Sequence, residues 1–302
     1  MELTRYFLVA GHIFSLSLPD GDPLWKMLER QYGPFEVSGD GCSAEKLLFS
    51  LKLTENIAET ERKCVYDSPT EKGETAIRLS SRKDGWLFEI MKDSGSPVCA
   101  SILSDGDFRN AGLKLECSSP FDSLFCINNA AMLMFAFASA PLGTLAFHAS
   151  VIENGGQAYL FLGKSGTGKS THSSLWLKHI AGSTLMNDDN PAVRLWPDGR
   201  IVAYGSPWSG KTPCYKNVSA PVGAFVQIRQ APKNAIQRMS VLDAYASLLS
   251  SISGLKTGSG RMADDLNDSV AGLLESSPCW ILDCLPDREA AELCFNTITT
   301  RH

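Results

Sequence analysis

Apolar and polar residues alternate through most of the first 120 positions, in runs of strand length separated by turn-forming residues. TRYFLVAG, FSLSL, KLLFSLKL, RKCVYDS, TAIRLSS, GWLFEIMK, VCASILS and GLKLECS each predict a strand. Only DPLWKMLERQYG, capped by Asp22, has helical spacing in this half. No side chain from Leu124 to Phe147 is charged, and the run predicts a helix over about 121–140 that stops before Pro141. Beyond it the period switches repeatedly. LAFHASVI, QAYLFLG, STLMNDDNPAV, RIVAYG, VGAFVQIRQ and WILDC predict strands. STHSSLWLKHI, the stretches 241–254 and 263–276, and DREAAELCFNTI predict helices. ENGG joins two strands as a hairpin turn, since glycine tolerates positive φ. The pattern predicts a mixed α/β (α+β) protein in two parts. A β-rich region without a catalytic motif covers 1–120, and a second domain covers 121–302.

Charge and composition narrow the class. The chain has 302 residues, 44% of them hydrophobic, which is enough for a sizeable core. Its net charge of −5 provides no basic field for nucleic acid or anionic membrane, so neither is an expected partner. The uncharged run is long enough to span a bilayer. Asn128, Asn129, Ser139 and Pro141 interrupt it, however, and no Lys/Arg cluster flanks it, so a buried helix is expected. The first residues lack a basic segment followed by an apolar one, so no signal peptide is expected. The nine cysteines form no C-x-x-C pair and no zinc spacing, which fits reduced thiols in a cytoplasm.

Chemistry concentrates in FLGKSGTGKST. Gly163, Lys164, Ser165, Gly166, Thr167, Gly168, Lys169 and Ser170 fill the phosphate-loop pattern G-x-x-x-x-G-K-[ST], with Thr171 following. The glycines let backbone N–H groups turn inward, Lys169 is placed to reach the β- and γ-phosphates, and the Ser170 hydroxyl to ligate Mg²⁺. GSPWSGKT at 205–212 matches the same pattern, but Pro207 and Trp208 fill it and no amphipathic helix follows. It is expected to be a mobile loop over an active site, with Lys211 as a phosphate or substrate contact. In NDDN, Asp188 and Asp189 follow the loop helix on a strand expected to run back beside the loop strand. One carboxylate can hold metal while the other takes a proton from an attacking hydroxyl. His148 lies on the strand expected to pair with the loop strand. His12, His172, His179 and His302 have weaker claims.

Together, FHASVIENGGQAYLFLGKSGTGKST and LMNDDNPAV resemble the core shared by HPr serine kinase/phosphorylase and phosphoenolpyruvate carboxykinase. The stretch from GSPWSGKTP to IQRMS is similar to small HPr-kinase-like proteins. The resemblance covers about 142–302 and implies a P-loop core with a mixed, largely antiparallel sheet. It implies ATP and Mg²⁺, with Mn²⁺ as a further option, and possible homo-oligomers. Residue by residue, Asp188 resembles the base that activates the acceptor hydroxyl and Asp189 the metal-ligating carboxylate. His148 resembles a contact to the transferred phosphate or a second metal. Asn190 departs from the pattern, which has Arg or Glu there. The implied activity is a kinase that phosphorylates a hydroxyl, of a protein serine or of a small molecule. A carboxykinase-like lyase and a nucleotide-binding module without turnover are the alternatives.

Overall fold

Short alternating runs make a large sheet first. The computed structural model describes residues 1–68, 75–210, 212–254 and 261–300. They divide into two compact units, Met1–Ser139 and, essentially, Ala140 onward. The first contains β1 (Glu2–Val9), β2 (His12–Pro19), α1 (Leu24–Tyr32), β3 (Glu36–Val37), β4 (Ser50–Leu53), β5 (Arg62–Asp67), β6 (Ala76–Arg82), β7 (Gly85–Met91), β8 (Val98–Ser104), β9 (Asn110–Leu115) and α2 (Pro120–Ser139). Its nine strands form one sheet in the order β3-β1-β2-β4-β9-β8-β7-β6-β5, parallel only at β2–β4 and β4–β9. The buried alternate positions supply its core, including Phe14 stacked on Phe49 with centroids 4.8 Å apart. Strand β3 is too short to show a period, and the Lys46–Phe49 part of KLLFSLKL is not strand.

Helix α2 ends at Ser139, ahead of Pro141, and groups with the first unit, whereas the sequence reading assigned it to the second. By length and composition alone the stretch Pro120–Leu142 could cross a membrane, and 67% of its most apolar window is buried inside the protein. All nine cysteines carry free thiols. Those of Cys126, Cys214, Cys279, Cys284 and Cys294 are buried.

The second unit contains β10 (Thr144–Ala146), β11 (Ala149–Asn154), β12 (Gln157–Leu162), α3 (Lys169–His179), β13 (Thr184–Asp189), β14 (Ala192–Leu195), β15 (Ile201–Tyr204), β16 (Ser219–Gln230), β17 (Ala235–Arg238), α4 (Val241–Ser251), α5 (Arg261–Ser276), β18 (Cys279–Cys284) and α6 (Arg288–Ile298). The second sheet is also mixed: β12–β16 and β16–β18 are parallel, and the other pairings antiparallel. The protein is therefore a mixed α/β structure with two mixed sheets and six helices among the described residues. Glycines 155 and 156 make the β11–β12 hairpin with φ of +60° and +78°, a turn that matches strand twist.

Two predicted strands are broken, and the breaks lie opposite one another. LAFHASVI divides into β10 and β11 at Phe147–His148, and STLMNDDNPAV divides into β13 and β14 at Asn190–Pro191. Ala146 pairs with Ala192 and Ala149 with Asp189, so both chains change ladders at the same level. Pro191 has no N–H to donate, which favours the break there. Residues 251–253 bridge the gap: His148 N donates to Ser251 O at 2.6 Å and Ser253 N to Ala146 O at 2.8 Å. Strand β13 pairs with β11, not with the loop strand β12 as the sequence reading expected. The hairpin strand lies between them, but β13 still runs in the direction of β12, so its end reaches the same edge.

Helix α3 packs through Trp176, fully buried among Tyr159, Phe161 and Phe295. The indole Nε1 donates to His172 Nε2 at 3.1 Å, so the proton of the neutral ring sits on Nδ1, which has no partner among the described residues. Burial lowers the His172 pKa from 6.5 to about 4. Between those values the unfolded chain takes up a proton that the folded one refuses. Stability therefore falls as pH drops through that window. At pH 5 the loss is about 2 kcal/mol. Comparing denaturant midpoints of wild type and His172→Gln at pH 7 and pH 5 should show the difference shrinking by that amount in the variant.

Candidate functional site

The ends of β11, β12 and β13 bring the chemistry-bearing residues together. Leu162 pairs with Ala149, and Ala149 with Asp189, so the glycine-rich loop, His148 and the two aspartates leave the sheet at one edge. Glycines 163, 166 and 168 adopt φ of +146°, +79° and +104°. At Gly163 an added Cβ would also lie 2.5 Å from Thr167 Oγ1. Thr167 closes the turn by donating from Oγ1 to Lys164 O at 2.9 Å. Gln230 Nε2 holds the loop from β16 through Gly166 O at 3.1 Å. Lys164, Ser165 and Gly166 form an exposed tip, and Lys169, Ser170 and Thr171 make the first turn of α3. Gly168 caps that helix without a side chain, so its first N–H groups and its positive dipole end remain available to an anion.

Lys169 turns back beneath the loop. Its Nζ donates to Gly163 O at 2.8 Å and Lys164 O at 3.3 Å, and it lies 2.9 Å from His148 Nε2. Three N–H groups thus meet three acceptors. Burial lowers the Lys169 pKa, with Asp189 and Asp188 acting in the opposite direction. On the other side of the ring, His148 Nδ1 lies 2.9 Å from Asp189 Oδ1. A ring that donates from Nδ1 and accepts at Nε2 satisfies both neighbours in its neutral form.

The aspartates have different surroundings. Asp188 Oδ1 accepts from Ser170 Oγ at 2.9 Å, and the residue is only 4% exposed. Asp189 Oδ2 accepts from Asn190 Nδ2 at 2.9 Å, and Asn190 Oδ1 accepts in turn from Ser253 Oγ at 2.8 Å. Asp189 also has φ of +143°, a conformation costly for any residue with a Cβ, which the surrounding bonds must hold in place. Asn187, fully buried, accepts from Asn190 N and donates to Ser206 and Trp208. These four partners, Asn187, Asn190, Ser206 and Ser253, carry no motif of their own. The Asn190 departure from the family pattern was the one sign in the sequence.

The second glycine pattern is not a mobile loop as far as Gly210. Gly210 N donates to Asp188 O at 2.5 Å, Ser209 Oγ to the same oxygen at 3.2 Å, and Trp208 is buried. Its glycines serve close backbone packing instead of an anion. A Cβ on Gly205 would lie 2.0 Å from Lys216 O, and both are backbone-anchored. Gly205→Ala is therefore expected to cost about 3 kcal/mol, read from urea midpoints. Lys211 lies outside the described residues. His12, on β2, and His172, in the core beside Trp176, are buried away from this edge, His179 ends α3, and His302 lies outside the described residues.

Ser170 Oγ and Asp188 Oδ1 are two hard oxygens within 2.9 Å. Among the described residues, no group of three or more His, Cys, Asp or Glu side chains forms a cage. A pair of this kind suits Mg²⁺, which keeps several waters and takes one or two protein oxygens beside substrate phosphates. No family model matches the chain, and neither does any curated protein.

Proposed function

We propose that this chain is an ATP- and Mg²⁺-dependent cytoplasmic kinase with a P-loop core of the HPr kinase and phosphoenolpyruvate carboxykinase type. It transfers the γ-phosphate to a hydroxyl of a protein serine or a small molecule. The observation that carries the reading is the meeting at one sheet edge of a glycine loop, a buried lysine beneath it, and a Ser170–Asp188 pair at the head of α3. The loop N–H groups and the helix dipole hold phosphate oxygens. Lys169 exchanges a carbonyl or His148 for a phosphate oxygen. Ser170 and Asp188 would hold Mg²⁺, which when bound supplies neutralising charge to the phosphates. Catalysis is then mostly positioning and electrostatics.

The test is incubation with γ-labelled ATP, Mg²⁺ and cell extract, beside Asp188→Asn. Label entering protein or metabolite only with the intact enzyme supports the kinase and tells which acceptor class it uses. Tight ATP binding with no label in either fraction would sink it.

A further inference from the structure

The two adjacent aspartates have distinct neighbours, and the division differs from the one the resemblance implies. Resting on the kinase reading, we propose that His148, held by Asp189, takes the proton of the acceptor hydroxyl, while Asp188 works with Ser170 on the metal.

Access decides the first half. An acceptor hydroxyl arrives from outside and must come within about 3 Å of its base. Asp188 is 4% exposed, whereas the side chains of His148 and Asp189 are 39% and 33% exposed. Of the two exposed groups, Asp189 has both oxygens engaged, one by His148 Nδ1 and one by Asn190 Nδ2. His148 Nε2 has only Lys169, 2.9 Å away. That partner is the one a bound nucleotide draws off, because a phosphate oxygen offers Lys169 a charged acceptor in place of a neutral one. Loading the nucleotide thus uncovers Nε2 beside the phosphate end of the loop. Until then the lysine covers it.

Proximity decides the second half. The Ser170 hydroxyl is already on Asp188 Oδ1, so the two ligand oxygens converge without rearrangement. Asp189 instead orients the ring, fixing the Nδ1–H tautomer that leaves Nε2 able to accept. In the step itself the acceptor O–H breaks and its oxygen bonds to the γ-phosphorus. The bond from that phosphorus to the β,γ-bridging oxygen breaks with its electrons leaving on ADP. The proton passes to His148 Nε2 and then to solvent.

The full chain is tested with a β,γ-imido ATP analogue and Mn²⁺, bound metal being read by electron paramagnetic resonance. Asp188→Asn should weaken Mn²⁺ at least tenfold, whereas Asp189→Asn and His148→Gln stay within twofold of wild type. With ¹⁵N-histidine, the free protein should show His148 protonated at Nδ1, and adding the analogue should shift its Nε2 resonance. In turnover, His148→Ala should lose at least a hundredfold in transfer or ATP hydrolysis and recover at least tenfold on adding free imidazole, which a merely structural histidine would not do. Loss of Mn²⁺ in Asp189→Asn but not in Asp188→Asn overturns the division, and failure of imidazole rescue overturns the base. If the wild type binds the analogue yet shows neither transfer nor hydrolysis, the kinase reading falls and the base falls with it. The metal division is then still decided by the Mn²⁺ result alone.

Discussion

Replacing Lys169 by methionine is expected to lower phosphoryl transfer about 10³-fold, near 4 kcal/mol of activation free energy, with the melting temperature nearly unchanged. The lysine is the one cation whose amine lies under the glycine loop, bonded to the carbonyls of Gly163 and Lys164. A methionine fills the same stem volume but offers no N–H to a phosphate oxygen that gains charge in the transition state. Stability is spared because burial already disfavours the charged amine, as its lowered pKa records. The acceptors left behind face the exposed loop, where water replaces the lysine. Steady-state transfer from γ-labelled ATP, beside a thermal melt, measures both. A fall in transfer that only follows a fall in folded protein would remove Lys169 from the chemistry.

How much of this was legible depended on whether a feature is local. The loop 163–171 was, since its glycines, lysine and serine are contiguous and each has its own backbone or charge requirement. So were the hairpin at 155–156 and most strands and helices, whose periods are set by single segments. The broken strands were not. LAFHASVI and STLMNDDNPAV each read as one run, because what divides them is the exchange of ladder partners opposite each other, a tertiary event. Pro191 hinted at one break. Nothing in the residues around His148 pointed to the other. For the same reason the placement of β13 next to β11 escaped, as did strand β17, whose four residues show too little alternation. The second glycine pattern shows the converse. The motif is local and complete, yet Gly205 and Gly210 meet backbone and side-chain atoms of distant residues. A regular pattern identified one phosphate-type loop, and its missing helix correctly demoted the other.

Trp176→Ala should have the reverse effect of the lysine change, costing about 4–5 kcal/mol of folding free energy while leaving transfer per folded molecule within about twofold. The indole is fully buried, with ring centroids of Tyr159, Phe161 and Phe295 at 5.3, 5.4 and 5.5 Å. Truncation opens a cavity among rings that cannot collapse into it without moving β12 and α6. It also strips the only donor from His172 Nε2, leaving both nitrogens of that buried ring without a partner. Trp176→Phe keeps an aromatic face and should fall between. A domain whose whole stability is typically 5–15 kcal/mol would be left marginal by the alanine change, so urea midpoints should drop sharply. The chemistry is spared because the first turn of α3 is fixed independently of Trp176. Lys169 is tied to the loop carbonyls, Ser170 to Asp188, and Ser173 to Ser150 at 2.6 Å, all N-terminal to the indole. If the alanine variant, corrected for its folded fraction, lost transfer as deeply as Lys169→Met, the site would depend on core packing and the two roles of α3 could not be separated. Midpoints and rates measured on the two variants side by side decide it.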